Sequence, residues 1–186
     1  ASAASRSLPD DDTTCRAPLR AIAPGAGGMS RTFAFLRAIN VGGHVVTMAA
    51  LRAQFEALGL TDVETFIASG NVIFATPARV PAALPQRIEA RLHHALGYEV
   101  HTFLRSETEV AAIASHRPFA PGEIEAARAF SVGLLAEPLT AGMRKAAMGL
   151  RTDIDDFHVH GREIYWLCRK GQSESQFNNN RFEKAI

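Results

Sequence analysis

The sequence holds only two cysteines in 186 residues, Cys15 and Cys168, far apart in the chain. With no CxxC pair or Cys/His grouping, neither a zinc knuckle nor a disulfide framework is expected. Nor is there an apolar run of about 18 residues to span a bilayer. The N-terminal stretch also lacks the apolar core of a signal peptide. A charge excess is missing too: 20 Lys and Arg face 19 Asp and Glu, for a formal charge of +1. The balance persists by segment, with three basic and three acidic residues in 1–28, six and five in 29–104, and eleven of each in 105–186. No segment is a basic arm of the kind that grips phosphate backbones. The expected address is the cytoplasm, with no membrane partner. What remains is globular composition, 47% hydrophobic and 21% charged, in a chain long enough for one domain or two small ones.

Residues 1–28 are rich in Ala, Ser, Pro, Asp and Gly, show no structural period and end in GAGG before Met29. They read as a disordered leader or an appended extension, with Met29 as a natural start. Regularity begins at Phe33–Ile39, an apolar run bounded by Asn40-Val41-Gly42-Gly43 that reads as a buried strand. Met48, Leu51, Phe55 and Leu58 then recur at helical spacing between a Thr47 cap and Gly59. Val63–Ala68 and Val72–Ala75 are short strands around the Ser69-Gly70-Asn71 turn. Leu84, Ile88, Leu92 and Leu96 mark a helix ended by Gly97, and Glu99–Leu104 a further strand. The order is β-α-β-β-α-β.

Ser106 to Glu109 form a capping box that opens a short helix, with Pro118 and Pro121 closing it. Beyond it come a strand at Phe130–Leu135 and a helix marked by Leu139, Met143, Ala147 and Leu150. A hairpin follows, Phe157–His160 and Ile164–Cys168 turned by Gly161-Arg162, and then a last helix from near Ser173 or Ser175. The repeated order suggests a duplicated split βαβ unit. The expected fold is α+β, with two ferredoxin-like halves, 29–104 and 122–186, joined by a helical connector at 105–121. The second half lacks a clear last strand and reads as truncated at the C-terminus. An unpaired outer strand there would favour dimerisation or be covered by the last helix.

In that arrangement the end of the first strand, the start of the first helix, the strand 2–3 turn and the start of the fourth strand meet at one end of the sheet. Gly42 and Gly43 let backbone amides approach a ligand, the helix start carries partial positive charge, and Arg37 adds a full one. Asn40, Ser69, Gly70 and Asn71 complete the group. A small anion fits: a phosphate, a nucleotide or a carboxylate. Neither a Walker A pattern nor GxGxxG is present, and the alternative is that the Gly loops only turn the chain.

The run Phe33-Ala34-Phe35-Leu36-Arg37-Ala38-Ile39-Asn40-Val41-Gly42-Gly43, followed by Met48-x-x-Leu51 and Thr65-x-Ile67-x-Ser69-Gly70-Asn71-Val72-x-Phe74, resembles the bacterial family catalogued as domain of unknown function 1697 (DUF1697). The resemblance covers residues 30–186 and implies a duplicated ferredoxin-like fold, with no established activity, substrate or cofactor. Members commonly carry Gly where this chain has Ala38, and they continue past the last helix into a Thr-x-x-Arg-Asn-Trp type segment. Here the chain ends at Ile186, which implies a truncated or divergent C-terminus.

Other features compete with this site. His158 and His160 share one strand face, and Asp153, Asp155 and Asp156 lie nearby, a feasible metal ligand set. Without a third ligand at a recognised spacing they read as surface histidines, and no metal site is assigned. His93 and His94 read as surface or partly buried helix residues. Phe33, Phe35 and Arg37 share a strand face that can stack bases, so a nucleic-acid or protein interaction module using the sheet face or the cleft between halves is the alternative function. Balanced charge and the missing RNA-recognition signature speak against nucleic acid; a strand buried on both sides, with Phe130, Val132, Tyr165 and Trp166 in inter-half packing, is simpler. An enzyme of unknown reaction is the third reading: Ser69 has no evident His and Asp partners, and Cys168 lies far from the Gly loop.

Overall fold

The computed structural model describes residues 28–37, 39–40, 43, 45–66, 70–77, 80–170, 174–175, 177 and 182–184. They form an α+β protein with two antiparallel sheets. The first sheet contains β1 (Met29–Leu36), β2 (Thr61–Phe66), β3 (Asn71–Pro77) and β4 (Thr102–Ser106) in the order β2-β3-β1-β4. Helices α1 (Met48–Glu56) and α2 (Leu84–Leu96) connect β1 to β2 and β3 to β4. Period-two alternation sends Thr32, Ala34 and Leu36 of β1 to the helical side. There Val72 and Phe74 of β3 and Leu104 of β4 join Leu51 and Phe55 of α1 and Leu84, Ile88 and Leu92 of α2 in one buried core. The Phe55 and Phe74 rings meet at 5.6 Å.

The helix ends follow local chemistry. Thr47 Oγ1 accepts from the Ala50 amide at 3.1 Å to start α1. Gly97, at φ 80°, closes α2 with its amide on the His93 carbonyl at 2.9 Å.

Helices α3 (Glu107–Ser115) and α4 (Pro121–Ala126) lead to the second sheet. It contains β5 (Ala129–Leu134), β6 (Asp155–His160) and β7 (Glu163–Cys168) in the order β5-β7-β6, with α5 (Ala141–Met148) between β5 and β6. One face packs Phe157, Val159 and Ile164 on Ala147 and Phe182. The other carries Phe130, His158 and Tyr165, with Phe119 set edge-on to Phe130.

The sheets are joined at Arg105. This β4 side chain is 1% exposed, and it projects from the sheet face opposite the core. Its Nε donates to Glu163 Oε1 at 2.8 Å, Nη1 to the Leu104 carbonyl at 2.9 Å, and Nη2 to the Leu135 and Arg162 carbonyls at 2.9 and 3.0 Å. Arg162 in turn donates to Glu109, the residue that caps α3 through Ser106.

Several boundaries differ from the sequence reading. The first strand ends at Leu36, not Ile39, because Asn40 turns the chain at φ 53°. The fourth starts at Thr102, not Glu99, because Leu36 and Thr102 are the last ladder partners. Pro121 opens α4 where it was read as a helix stop: as the first residue of α4 its missing N–H costs nothing. Ser175 is not helical; its hydroxyl donates to Asp155, and the only helical turn among the described residues after β7 is 182–184. Residues 1–27 and Ser173 lie outside the described residues.

Two outcomes follow. Arg105→Met leaves the Glu163 charge buried without its partner and is expected to cost about 3–5 kcal/mol in urea denaturation, with Arg105→Met/Glu163→Leu recovering most of it; equal losses in both variants would refute the joint. Burial raises the Glu109 pKa, but the Ser106 amide and hydroxyl and the Arg162 guanidinium outweigh it and hold the group below its ordinary value. Its contribution is therefore present at neutral pH and lost as pH falls through the lowered value. The stability gap between the wild type and Glu109→Gln should narrow as pH is taken below the ordinary carboxylate range.

Candidate functional site

The first strand and the β2–β3 turn meet through a buried residue. Ile39, 4% exposed, lies against Gly70, where an added Cβ would overlap Ile39 Cγ2. Gly70 also sits at φ 82°, so glycine is required there on two grounds. Asn40 adopts φ 53°, and its Oδ1 accepts from the Val46 amide at 2.6 Å, folding the loop back towards the start of α1. Gly43 is left-handed as well, at φ 90°, with open space where a Cβ would be. Asn71 begins β3 opposite Phe66. The Arg37 amide donates to the His101 carbonyl at 2.9 Å, tying the end of β1 to the approach to β4. Arg37, Asn40, Gly70 and Asn71 thus lie towards one end of the first sheet, where β1 ends and β3 begins; Gly42 and Ser69 lie outside the described residues.

Arg37 is not an isolated cation. Its Nη2 pairs with Glu183 Oε1 at 2.7 Å, both side chains remaining nearly half exposed. It also lines a cavity of 620 Å³ between the two sheets, within the range of small-molecule sites. Phe35 and Phe103 supply one wall, and Leu134, Ile164 and Trp166 another, with Phe182 and Glu183 beside Arg37. The cavity is apolar apart from the Arg37/Glu183 edge and Ser131. Asn40, Gly43, Gly70 and Asn71 are not part of its lining. Sequence patterning does not reveal this cavity, because its walls come from two sheets, β1 and β4 on one side and β5 and β7 on the other. Phe33 and Phe35 are half-buried.

The aspartates beside the β6 histidines point elsewhere. Asp155 is buried, accepting from Trp166 Nε1 at 2.8 Å and from the Ser175 hydroxyl at 2.7 Å, and Asp156 pairs with Arg151 and Arg169. What reaches His158 and His160 is His116, at the C-terminal cap of α3. It lies more than 40 residues away in sequence, so no spacing rule flags it. Cys168 is buried, its thiol donating to the Lys170 carbonyl, and burial pushes its pKa up, as expected of an unreactive thiol. His93 and His94 are exposed in the last turn of α2.

Among the described residues no helix is long and apolar enough to cross a membrane. A family model described as "Protein of unknown function (DUF1697)" matches residues 29–165. No curated protein matches. Among solved structures, the chain is similar to the conserved bacterial protein SP0830 from Streptococcus pneumoniae, at a TM-score of 0.66 and 22% identity over 84% of this chain and 96% of that one. At that identity the likeness speaks to the fold.

The two left-handed glycines separate conformational strain from steric overlap. Gly43→Ala is expected to cost about 1–2 kcal/mol from backbone strain alone. Gly70→Ala should cost clearly more in the same denaturation experiment, because Ile39 must also move; equal costs would mean that the two loops are not in contact.

Proposed function

This chain belongs to the DUF1697 family of proteins of unknown function, and we propose that it binds a small anionic ligand, a phosphate, nucleotide or carboxylate, at the end of the first strand. The observation that carries the reading is that Arg37, just past the end of β1 and tied through its amide to His101, lines the cavity between the sheets. A ligand there meets a guanidinium, able to form two parallel bonds to a carboxylate or phosphate, beside an apolar wall. That combination favours an anion carrying an apolar or aromatic body over bare inorganic phosphate. Glu183 neutralises Arg37 in the absence of ligand, so the anion exchanges with a carboxylate already in place.

We also infer that residues 29–104 and 122–186 are duplicated ferredoxin-like halves around the connector 105–121. The support is that β6-β7-β5 repeats the order β2-β3-β1 with a helix after the leading strand in each case. Among the described residues the second copy has three strands, β5, β6 and β7. A cytoplasmic address fits the cysteine usage. No observation favours the nucleic-acid or protein-interaction reading, since Phe33 and Phe35 do not form an exposed stacking platform.

The test is a thermal-shift screen of nucleotides, inorganic phosphate and aromatic carboxylates. A ligand at one hundred times its Kd stabilises the wild type by about 2.7 kcal/mol. Arg37→Ala should abolish the shift and Glu183→Gln, which frees the guanidinium, should enlarge it. If no compound shifts the wild type, or if Arg37→Ala responds equally, the loops are purely structural.

A further inference from the structure

On the face of the second sheet covered by the connector, three imidazoles come together. His158 and His160 occupy alternate positions of β6, opposite Tyr165 and Glu163 of β7, so ladder register sends both rings to the same side. His116 arrives from the end of α3, its ring 4.4 Å from His160 and 5.5 Å from His158. One ring nitrogen from each of the three lies within 4.8 Å of the others. His116 Nε2 is moreover buried with no hydrogen-bond partner, an unusual state for a polar atom whose desolvation is otherwise uncompensated.

We propose that His116, His158 and His160 bind a divalent transition-metal ion of the zinc class, which goes beyond the anion-binding reading and uses none of its residues. Three protein ligands leave a fourth tetrahedral position for water or an exogenous ligand. His116 and His160 also line a second cavity, of 510 Å³, together with Tyr165, Glu163 and Glu109. Metal–nitrogen bonds of about 2.0–2.1 Å require the nitrogens to close to about 3.4 Å. His160 is the ring with room to do this: it is exposed at the end of β6, whereas it now stacks on His116 at 22°. A stacked pair cannot aim both lone pairs at one ion, so binding turns the His160 ring out of the stack.

The surroundings select the ion. Burial lowers the pKa of His116 and of His158, with the neighbouring imidazoles adding to the effect. Arg144 and Arg151 disfavour a proton on His158 further; they are engaged on the Val159 and Phe157 carbonyls. Glu163 places negative charge near His116 while paired with Arg105. No carboxylate belongs to the ligand set, which favours zinc, cobalt, nickel or copper over the oxygen-seeking calcium and magnesium.

The test uses the full chain, free of any affinity tag and stripped with chelator. It is titrated with Co²⁺ by visible absorption, then with Zn²⁺ by competition and calorimetry. One saturable equivalent is expected, with a tetrahedral Co²⁺ spectrum displaced by Zn²⁺. His116→Ala and His160→Gln should each weaken binding by at least about tenfold, while His93→Ala/His94→Ala leaves it unchanged. His160 is exposed, so His160→Gln keeps the fold even where His116→Ala does not, and melting of the metal-free proteins checks both. The absence of saturable binding, equal affinity in His160→Gln, or equal affinity for Mg²⁺ would overturn the site.

Discussion

A single buried guanidinium connects the two sheets, and much of the molecule is arranged to satisfy it. Arg105 leaves β4 on the side away from the first core and is covered by the start of β7, the end of β5 and the β6–β7 turn. Taking that charge out of water is costly by itself. Its donors are matched by one carboxylate and three backbone carbonyls, which fixes where the second sheet sits against the first. The cavity beside it, with Arg37 at its edge, exists because the sheets are held at that separation and not collapsed onto each other. The placement of Glu163 near His116 descends from the same anchor, since Glu163 serves Arg105 first.

The first sheet was largely legible because its signals are local. Short apolar runs, the Thr47 and Gly97 helix boundaries and the glycine turn at Gly70 each act within a few residues. Strand ends were less so: β1 and β4 stop where their shared ladder stops, a property of the pair that neither segment carries alone. The proline at 121 carries the same lesson in reverse, since a missing N–H both stops one helix and suits the first turn of another.

The site was legible in part for a related reason. Ile39 against Gly70 follows from the order of elements, so the meeting of two loops could be foreseen. The pairing of Arg37 with Glu183 could not, because it depends on where a C-terminal turn lands. His116 escaped notice for the same cause: it reads as a polar residue between a helix and Pro118, and gains meaning only against β6. Long-range convergence needs the docked sheets, and the docking is encoded in one arginine that looks, in sequence, like an ordinary strand end.

The connector is clasped at both ends of β7. Glu109 of α3 holds Arg162, just before the strand, and Glu123 of α4 holds Arg169, just after it. These contacts span 53 and 46 residues, so each ties the connector to a strand distant in sequence. Their side chains are 32–46% exposed, so each pair contributes at most about 1 kcal/mol and weakens as salt is added.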